Sequence, residues 1–286
     1  VNKLRGMFAF AIYDRRQRRL QLQHAHAGEQ EHGNAPQDRE HRQPDRPPRH
    51  ILNGEWGLAM HAQSHRGTEE RNVMIDFGYT PEVLTNNMAI LGVDPASFDA
   101  MVLSHGHYDH FGGMVGFLNA TKGKLKPKLP FYVGGEDCFC LRRNPGGNFG
   151  VLYRKSILDA DLTLMMAAEP AIVADHAFTT GRIGQHSFEK PLRATEEIVG
   201  IFDGFGCFPD RMPAEKNTGG YIPDDFDHEL ATVYNVKGRG LVVLTSCSHR
   251  GVINTVRAAM SASELLTTIM FLAWLRPMMM GMSTYG

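Results

Sequence analysis

The sequence predicts an α/β sandwich with its helices on the outside. Three observations carry that expectation. Short apolar runs of strand length end at glycine or proline, and stretches of helical spacing lie between them. The third is MVLSHGHYDHFGG at 101–113, where one such run stops in a cluster of histidines.

Taken in order, residues 7–22 (MFAFAIYDRRQRRLQL) alternate apolar and polar around a charged centre, the pattern of a β-hairpin. Residues 23–50 contain no Val, Ile, Leu, Met, Phe, Tyr or Trp, so burial cannot offset their conformational entropy and a disordered linker is expected. The His24-x-His26 pair within it is read as a decoy on a solvated segment. Ordered patterning resumes at WGLAMHAQ (56–63) and RNVMIDFG (71–78), expected as paired strands. PEVLTNNMAILG (81–92) has helical spacing, with Pro81 at a tolerated first-turn position and Gly92 as its stop. FDAMVLS (98–104) reads as a buried strand, and LPFYVGG, AIVADHAFTTG and ELATVYNVKGRGLVVLTSCS supply more, the last split by a KGRG turn at 237–240. Helical pieces are expected at 111–119 and 251–260. The expected division is a hairpin over 1–22, a linker over 23–50, a main domain over 54–260 and an atypical apolar tail over 261–286.

The 30 basic and 31 acidic residues nearly cancel, which removes any overall field for nucleic acid or an anionic membrane and leaves a small molecule as the expected partner. Four scattered cysteines (Cys138, Cys140, Cys207, Cys247) give no disulfide framework, and a reduced, cytoplasmic setting is expected. The apolar run LLTTIMFLAWL (265–275) is shorter than the roughly 20 residues that cross a bilayer. It is expected as a buried helix ended by Arg276-Pro277.

The cluster carries the chemistry. His105-x-His107 falls where a strand gives way to a loop, so alternate residues can aim at one point. Tyr108-Asp109-His110 follows as the chain turns, and Gly112-Gly113 permit a tight path. A hydrolytic metal site needs neutral imidazoles on one ion, an open position for water and a carboxylate beside that water. H-x-H-x-D-H provides these groups within six residues.

On those residues the chain resembles the metallo-β-lactamase superfamily, across roughly 54–260. The blocks TTGRIGQHSFEK and DDFDHELATVYNVKGRGLVVLTSCSHRGVINT resemble one branch, that of the dihydropterin–ribofuranosylaminobenzene phosphate synthases and related bacterial metal-dependent hydrolases. The resemblance implies an αββα sandwich. It implies that His105, His107 and His249 ligate a first metal, and Asp109 and His110 a second. Asp76 would hold a ligand by hydrogen bond, Asp109 would orient the attacking water, and His186 and His228 are candidates for contacting substrate. Separately, LRGMFAFAIYD (4–14) resembles a strand of the asparagine synthetase glutaminase domain. That family's cysteine nucleophile is missing, so no amidotransferase activity is expected.

The superfamily brings further ligands after its third histidine. Beyond His249 this chain has no histidine or aspartate, and Glu264 is its one acidic residue. The αββα sandwich is therefore expected with its C-terminal part truncated and its second metal position short of ligands. The expected function is a metal-dependent hydrolase, with one or two zinc ions (iron or manganese also suit the donors), whose metal-bound water attacks an ester, amide or phosphoester. A non-catalytic chain keeping one metal, and a pterin-linked synthase of the same branch, are the alternatives.

Overall fold

In this computed structural model, residues 51–148, 150–191 and 195–266 are described in full, and residues 7–14, 19–25 and 267–280 by their backbone course. The larger of two main sheets contains β1 (Met7–Asp14), β2 (Arg19–Ala25), β3 (Leu58–Arg66), β4 (Glu69–Ile75), β5 (Ala100–Val102), β6 (Pro130–Val133) and β7 (Thr163–Met166). They lie in the order β2-β1-β3-β4-β5-β6-β7. The second sheet is β8 (Ile172–Val173), β9 (Ala177–Thr179), β10 (Thr232–Val236) and β11 (Gly240–Leu244), each antiparallel to its neighbour. The helices are α1 (Pro81–Leu91), α2 (Tyr108–Phe111), α3 (Met114–Ala120), α4 (Arg154–Asp159) and α5 (Val252–Met280).

Period-two alternation sorts the strands' side chains into separate apolar layers. On β4, Val73 and Ile75 join the cluster between the two sheets, whereas Met74 joins the one on the opposite face. On β5, Ala100 and Val102 face the sheet-to-sheet layer and Met101 faces the other. That outer cluster also contains Leu84 and Met88 of α1 and Phe117 and Leu118 of α3. On β10, Tyr234 packs between the sheets, while Val233 packs with Ala259 and Ala262 of α5. Helix, sheet, sheet and helix therefore stack in four layers, the αββα arrangement that the resemblance implies.

Local signals account for the first helix. The Thr80 side chain accepts from Val83 N at 3.4 Å, Pro81 opens the helix, and Gly92 closes it in the left-handed region at φ 69°. The strands β3 and β4 pair antiparallel with Met60 opposite Ile75, and β10 and β11 pair across the KGRG turn.

Several expectations need correction or a limit. Cys140 and Cys207 are joined in a disulfide, S–S 2.01 Å, closing a sequence separation of 67 residues, so the four thiols are not all free. Spacing along the chain cannot reveal a pair that only the fold brings together. The last helix does not stop at Arg276-Pro277 but continues to Met280, with Pro277 in its final turn. It thus crosses the expected boundary at 260. Strand β2 continues to Ala25, past the expected start of the linker, and residues 26–50 lie outside the described residues. Among the described residues, no helix is long and apolar enough to cross a membrane.

Candidate metal centre

The site forms where three strands end. Asp76 follows β4, Ser104 to His110 follow β5, and Cys247 to His249 follow β11. Parallel pairing of β4 with β5 brings the first two ends side by side, with Asp76 N donating to Val102 O at 2.9 Å. Asp76 takes a left-handed backbone (φ 59°), a strained conformation for a non-glycine residue. Its carboxylate accepts from Ser104 N and Ser104 Oγ, both at 2.7 Å, and lies 2.7 Å from His110 Nδ1.

Gly112 and Gly113 serve close approach here rather than an unusual dihedral, since both have helical φ values, −55° and −74°. A Cβ on Gly112 would meet Tyr79 O at 2.3 Å, and one on Gly113 would meet Phe77 O at 2.3 Å. The histidine turn is thereby pressed against the segment that carries Asp76.

His105, His107 and His249 converge although 142 residues separate the last two; one ring nitrogen from each lies within 4.8 Å of the others. His249 stands edge to face with the other two rings, centroids 4.8 Å from His107 and 4.9 Å from His105, while His105 and His107 are tilted at 60° with centroids 4.8 Å apart. His105 Nδ1 lies 3.0 Å from Ser104 Oγ, which leaves its Nε2 turned the other way. Phe226 stacks flat on His249 at 4.0 Å and 10°. Glu229, wholly buried, accepts from His249 N at 2.8 Å and Arg250 N at 2.7 Å and so anchors that loop.

The electrostatics suit a cation. Burial, followed by the neighbouring imidazoles, holds His105 well below the ordinary histidine pKa and His249 down to about 3. Burial lowers His107 as well, against the opposing pull of the Asp224 carboxylate. These imidazoles are therefore neutral at neutral pH with lone pairs available. The Nε2 atoms of His105 and His249 are buried and have no hydrogen-bond partner among the described residues, as expected of ligands whose ion supplies the missing contact. His110 differs. Burial opposes its charge, but the Asp76 and Asp109 carboxylates outweigh burial and raise its pKa well above the usual value. Burial would raise the Asp109 carboxyl, yet its contact with His110 holds it below the usual range. Asp109 Oδ2 lies 3.5 Å from His110 Nε2.

Behind His107 lies a buried ion cluster that spacing did not disclose. Arg142, 1 % exposed, donates from Nε to Asp224 Oδ2 at 2.7 Å, and its Nη2 lies 3.1 Å from both Asp137 Oδ1 and Glu197 Oε2. Lys216 Nζ reaches Asp137, Glu197 and Asp225 from the other side. Asp224 Oδ2 is in turn 3.7 Å from His107 Nε2, so the cluster abuts the metal pocket. Of the candidate substrate contacts, His228 is 1 % exposed with Nδ1 3.0 Å from Arg142 Nη2, which places it in this cluster. His186 is exposed, and its backbone braces Asn254 and Arg257 of α5.

Cys247 follows β11 in the same loop as His249. Its thiol is exposed and lies 3.2 Å from His110 Nε2. A cleft of about 340 Å³ opens beside Cys247, Ser248 and His249, with Glu189 and Lys190 on its wall.

Residues 66–127, the span that contains the histidine cluster, match the sequence pattern of the metallo-beta-lactamase superfamily. A curated relative from Methanocaldococcus jannaschii, 7,8-dihydropterin-6-methyl-4-(beta-D-ribofuranosyl)-aminobenzene-5'-phosphate synthase, is 21% identical over 221 residues, covering 73% of this chain and 66% of the relative. An uncharacterized protein of the same organism is 23% identical over 200 residues, covering 68% of this chain and 65% of the relative. The chain thus spans about two thirds of the length of these curated relatives. Among solved structures, a metal-dependent hydrolase of the beta-lactamase superfamily aligns with TM-score 0.49 and 20% identity, covering 70% of this chain and 68% of that one. The resemblance read from the sequence, to the superfamily and to its pterin-synthase branch, is borne out.

Proposed function

We propose that this chain, which has the metallo-β-lactamase fold and the superfamily pattern over 66–127, is a metal-dependent hydrolase of small ester, amide or phosphoester substrates. One observation carries the reading: three neutral imidazoles, the buried His105 and His107 and the partly buried His249, meet at one point beside an open cleft. Three protein ligands with one position left open is the donor set of a catalytic zinc site, and mixed nitrogen and oxygen donors also accept iron or manganese. When bound there, such a cation supplies Lewis acidity and a water acidified to near neutral pH.

The chain's own residues would do the rest. Asp109, kept ionised by His110, would orient a water and hold its proton at Oδ2. Phe226 and Glu229 fix His249 from the ring face and from the backbone. A cleft of about 340 Å³ suits a small molecule, and Glu189 and Lys190 offer it one charge of each sign. A second reading, a pterin-linked synthase, draws support from the name of the M. jannaschii relative. The same pocket would then serve a condensation.

The test is hydrolysis of a panel of chromogenic esters, amides and phosphodiesters by metal-loaded protein. Turnover of at least one class, abolished in His107→Ala, is expected. Turnover undiminished in that variant, or none with any class, would contradict the reading.

A further inference from the structure

We infer that Lys190 determines specificity in the cleft, and that the substrate carries an anionic group, a carboxylate or a phosphate, set away from the bond that is broken. The inference rests on the hydrolase reading of this pocket and deepens it by naming the substrate's charge.

The two charged side chains on the cleft wall are not equivalent. Glu189 Oε1 accepts from Val252 N at 3.1 Å, and its Oε2 accepts from Ile253 N at 2.9 Å and from Ser187 Oγ at 3.0 Å. The carboxylate thereby satisfies N–H groups that the first turn of α5 leaves without a helical partner, and it offsets the positive end of that helix. Gly251 makes this approach possible, because a Cβ there would lie 2.4 Å from Glu189 Oε2. With both oxygens engaged, Glu189 is committed to the helix rather than to a ligand.

Lys190 is the next residue. It is exposed, and among the described residues no hydrogen bond or ion pair engages its ammonium. The other cations nearby are engaged. Arg250 donates from Nε to Ile183 O at 2.7 Å and from Nη1 to Asp225 O at 2.8 Å, and Arg257 donates from Nη1 to His186 O at 2.8 Å. Two of these bonds, with His186 N donating to Asn254 Oδ1 at 2.8 Å, hold the segment before Glu189 against the start of α5. That fixes where Lys190 meets the cleft. Lys190 and His249, one of the three converging imidazoles, line the same cavity of about 340 Å³.

A small molecule whose reacting group lies at the histidines would bring its remainder against that wall. A carboxylate or phosphate there gains a charge-assisted hydrogen bond from a compact, mobile ammonium. A neutral remainder gains none.

Matched para-nitrophenyl esters test the inference on the zinc-loaded full chain: the neutral butyrate, the hydrogen glutarate, which adds a remote carboxylate, and the corresponding phosphonate. The glutarate or the phosphonate ester should show a KM about 10-fold below that of the butyrate, at similar kcat. In Lys190→Ala that ratio should fall close to one, and Lys190→Arg should restore most of it. Calorimetry gives a reading that needs no turnover. Glutarate should bind about 10-fold more tightly than butyrate, and the difference should vanish in Lys190→Ala. Equal KM and equal affinity for the neutral and anionic members would overturn the inference, as would a preference that survives in Lys190→Ala or no binding of glutarate at all. Turnover of the butyrate ester alone would overturn it while leaving the hydrolase reading intact. Lys190-dependent binding of glutarate with no turnover of any ester would support the anion site and remove the hydrolase reading.

Discussion

His110 and Asp76 are bound Nδ1 to Oδ2 at 2.7 Å, with both side chains essentially sealed from solvent. That contact sets which ring nitrogen faces the pocket. Partners of this kind orient a ligand and typically contribute about 10–100-fold in metal affinity. Asp76→Asn should therefore bind the second cobalt or zinc about 10–100-fold more weakly while binding the first with little change. Competition with a chromophoric chelator reads both constants. An unchanged second constant would show that His110 needs no such support.

Arg142 holds the carboxylates of Asp137, Glu197 and Asp224 together in the interior. Removing one partner of a buried ionic cluster leaves charge uncompensated and costs about 3–5 kcal/mol. Arg142→Leu should lower stability by that order in urea unfolding. Because Asp224 is 3.7 Å from His107 Nε2, it should also weaken the first metal position. A variant of normal stability would mean that Lys216 alone balances the cluster.

Acid should destabilise the metal-free protein early. His105, His107 and His249 have folded pKa values below the ordinary 6.5, with His249 at about 3. The unfolded chain takes up protons on them below about pH 6.5 and the folded chain does not. Their contribution is present above that pH and is lost as pH falls towards 3. His110, with its raised pKa, acts in the opposite sense: it favours the folded state below about pH 6.5, and that contribution is lost as pH rises through its folded value. With three groups against one, the unfolding midpoint of chelator-treated protein should fall as pH drops from about 6.5 to 5, the window in which these three imidazoles first take up protons in the unfolded chain. A level or rising midpoint would contradict the burial assigned to the three imidazoles.

Much of the site was legible because its signal is local. H-x-H-x-D-H puts His105, His107, Asp109 and His110 on one turn, and an apolar run before each of Asp76 and His249 marks a strand end. Strand periodicity likewise gave the sheets, since side chains on β4 and β10 divide between layers at period two. What escaped depends on contacts distant in sequence. Nothing near Cys247 names His110 as its neighbour, and Cys140 is 67 residues from its disulfide partner. Arg142, Asp137, Glu197 and Asp224 look like surface charges when read along the chain, and only the fold makes them a buried cluster. Glu229 was passed over for the same reason, as its role is to accept two backbone N–H groups 20 and 21 residues away.

The central claim is that His105, His107 and His249 hold a metal ion, and its most direct test is metal content after exhaustive dialysis. Elemental analysis of the unsubstituted protein, prepared alongside His249→Ala, should find at least about one tightly held ion per chain in the former. The variant should retain far less, with its fold intact by circular dichroism. A protein that dialyses to metal-free, or a His249→Ala variant that keeps as much metal as the parent, would contradict the account.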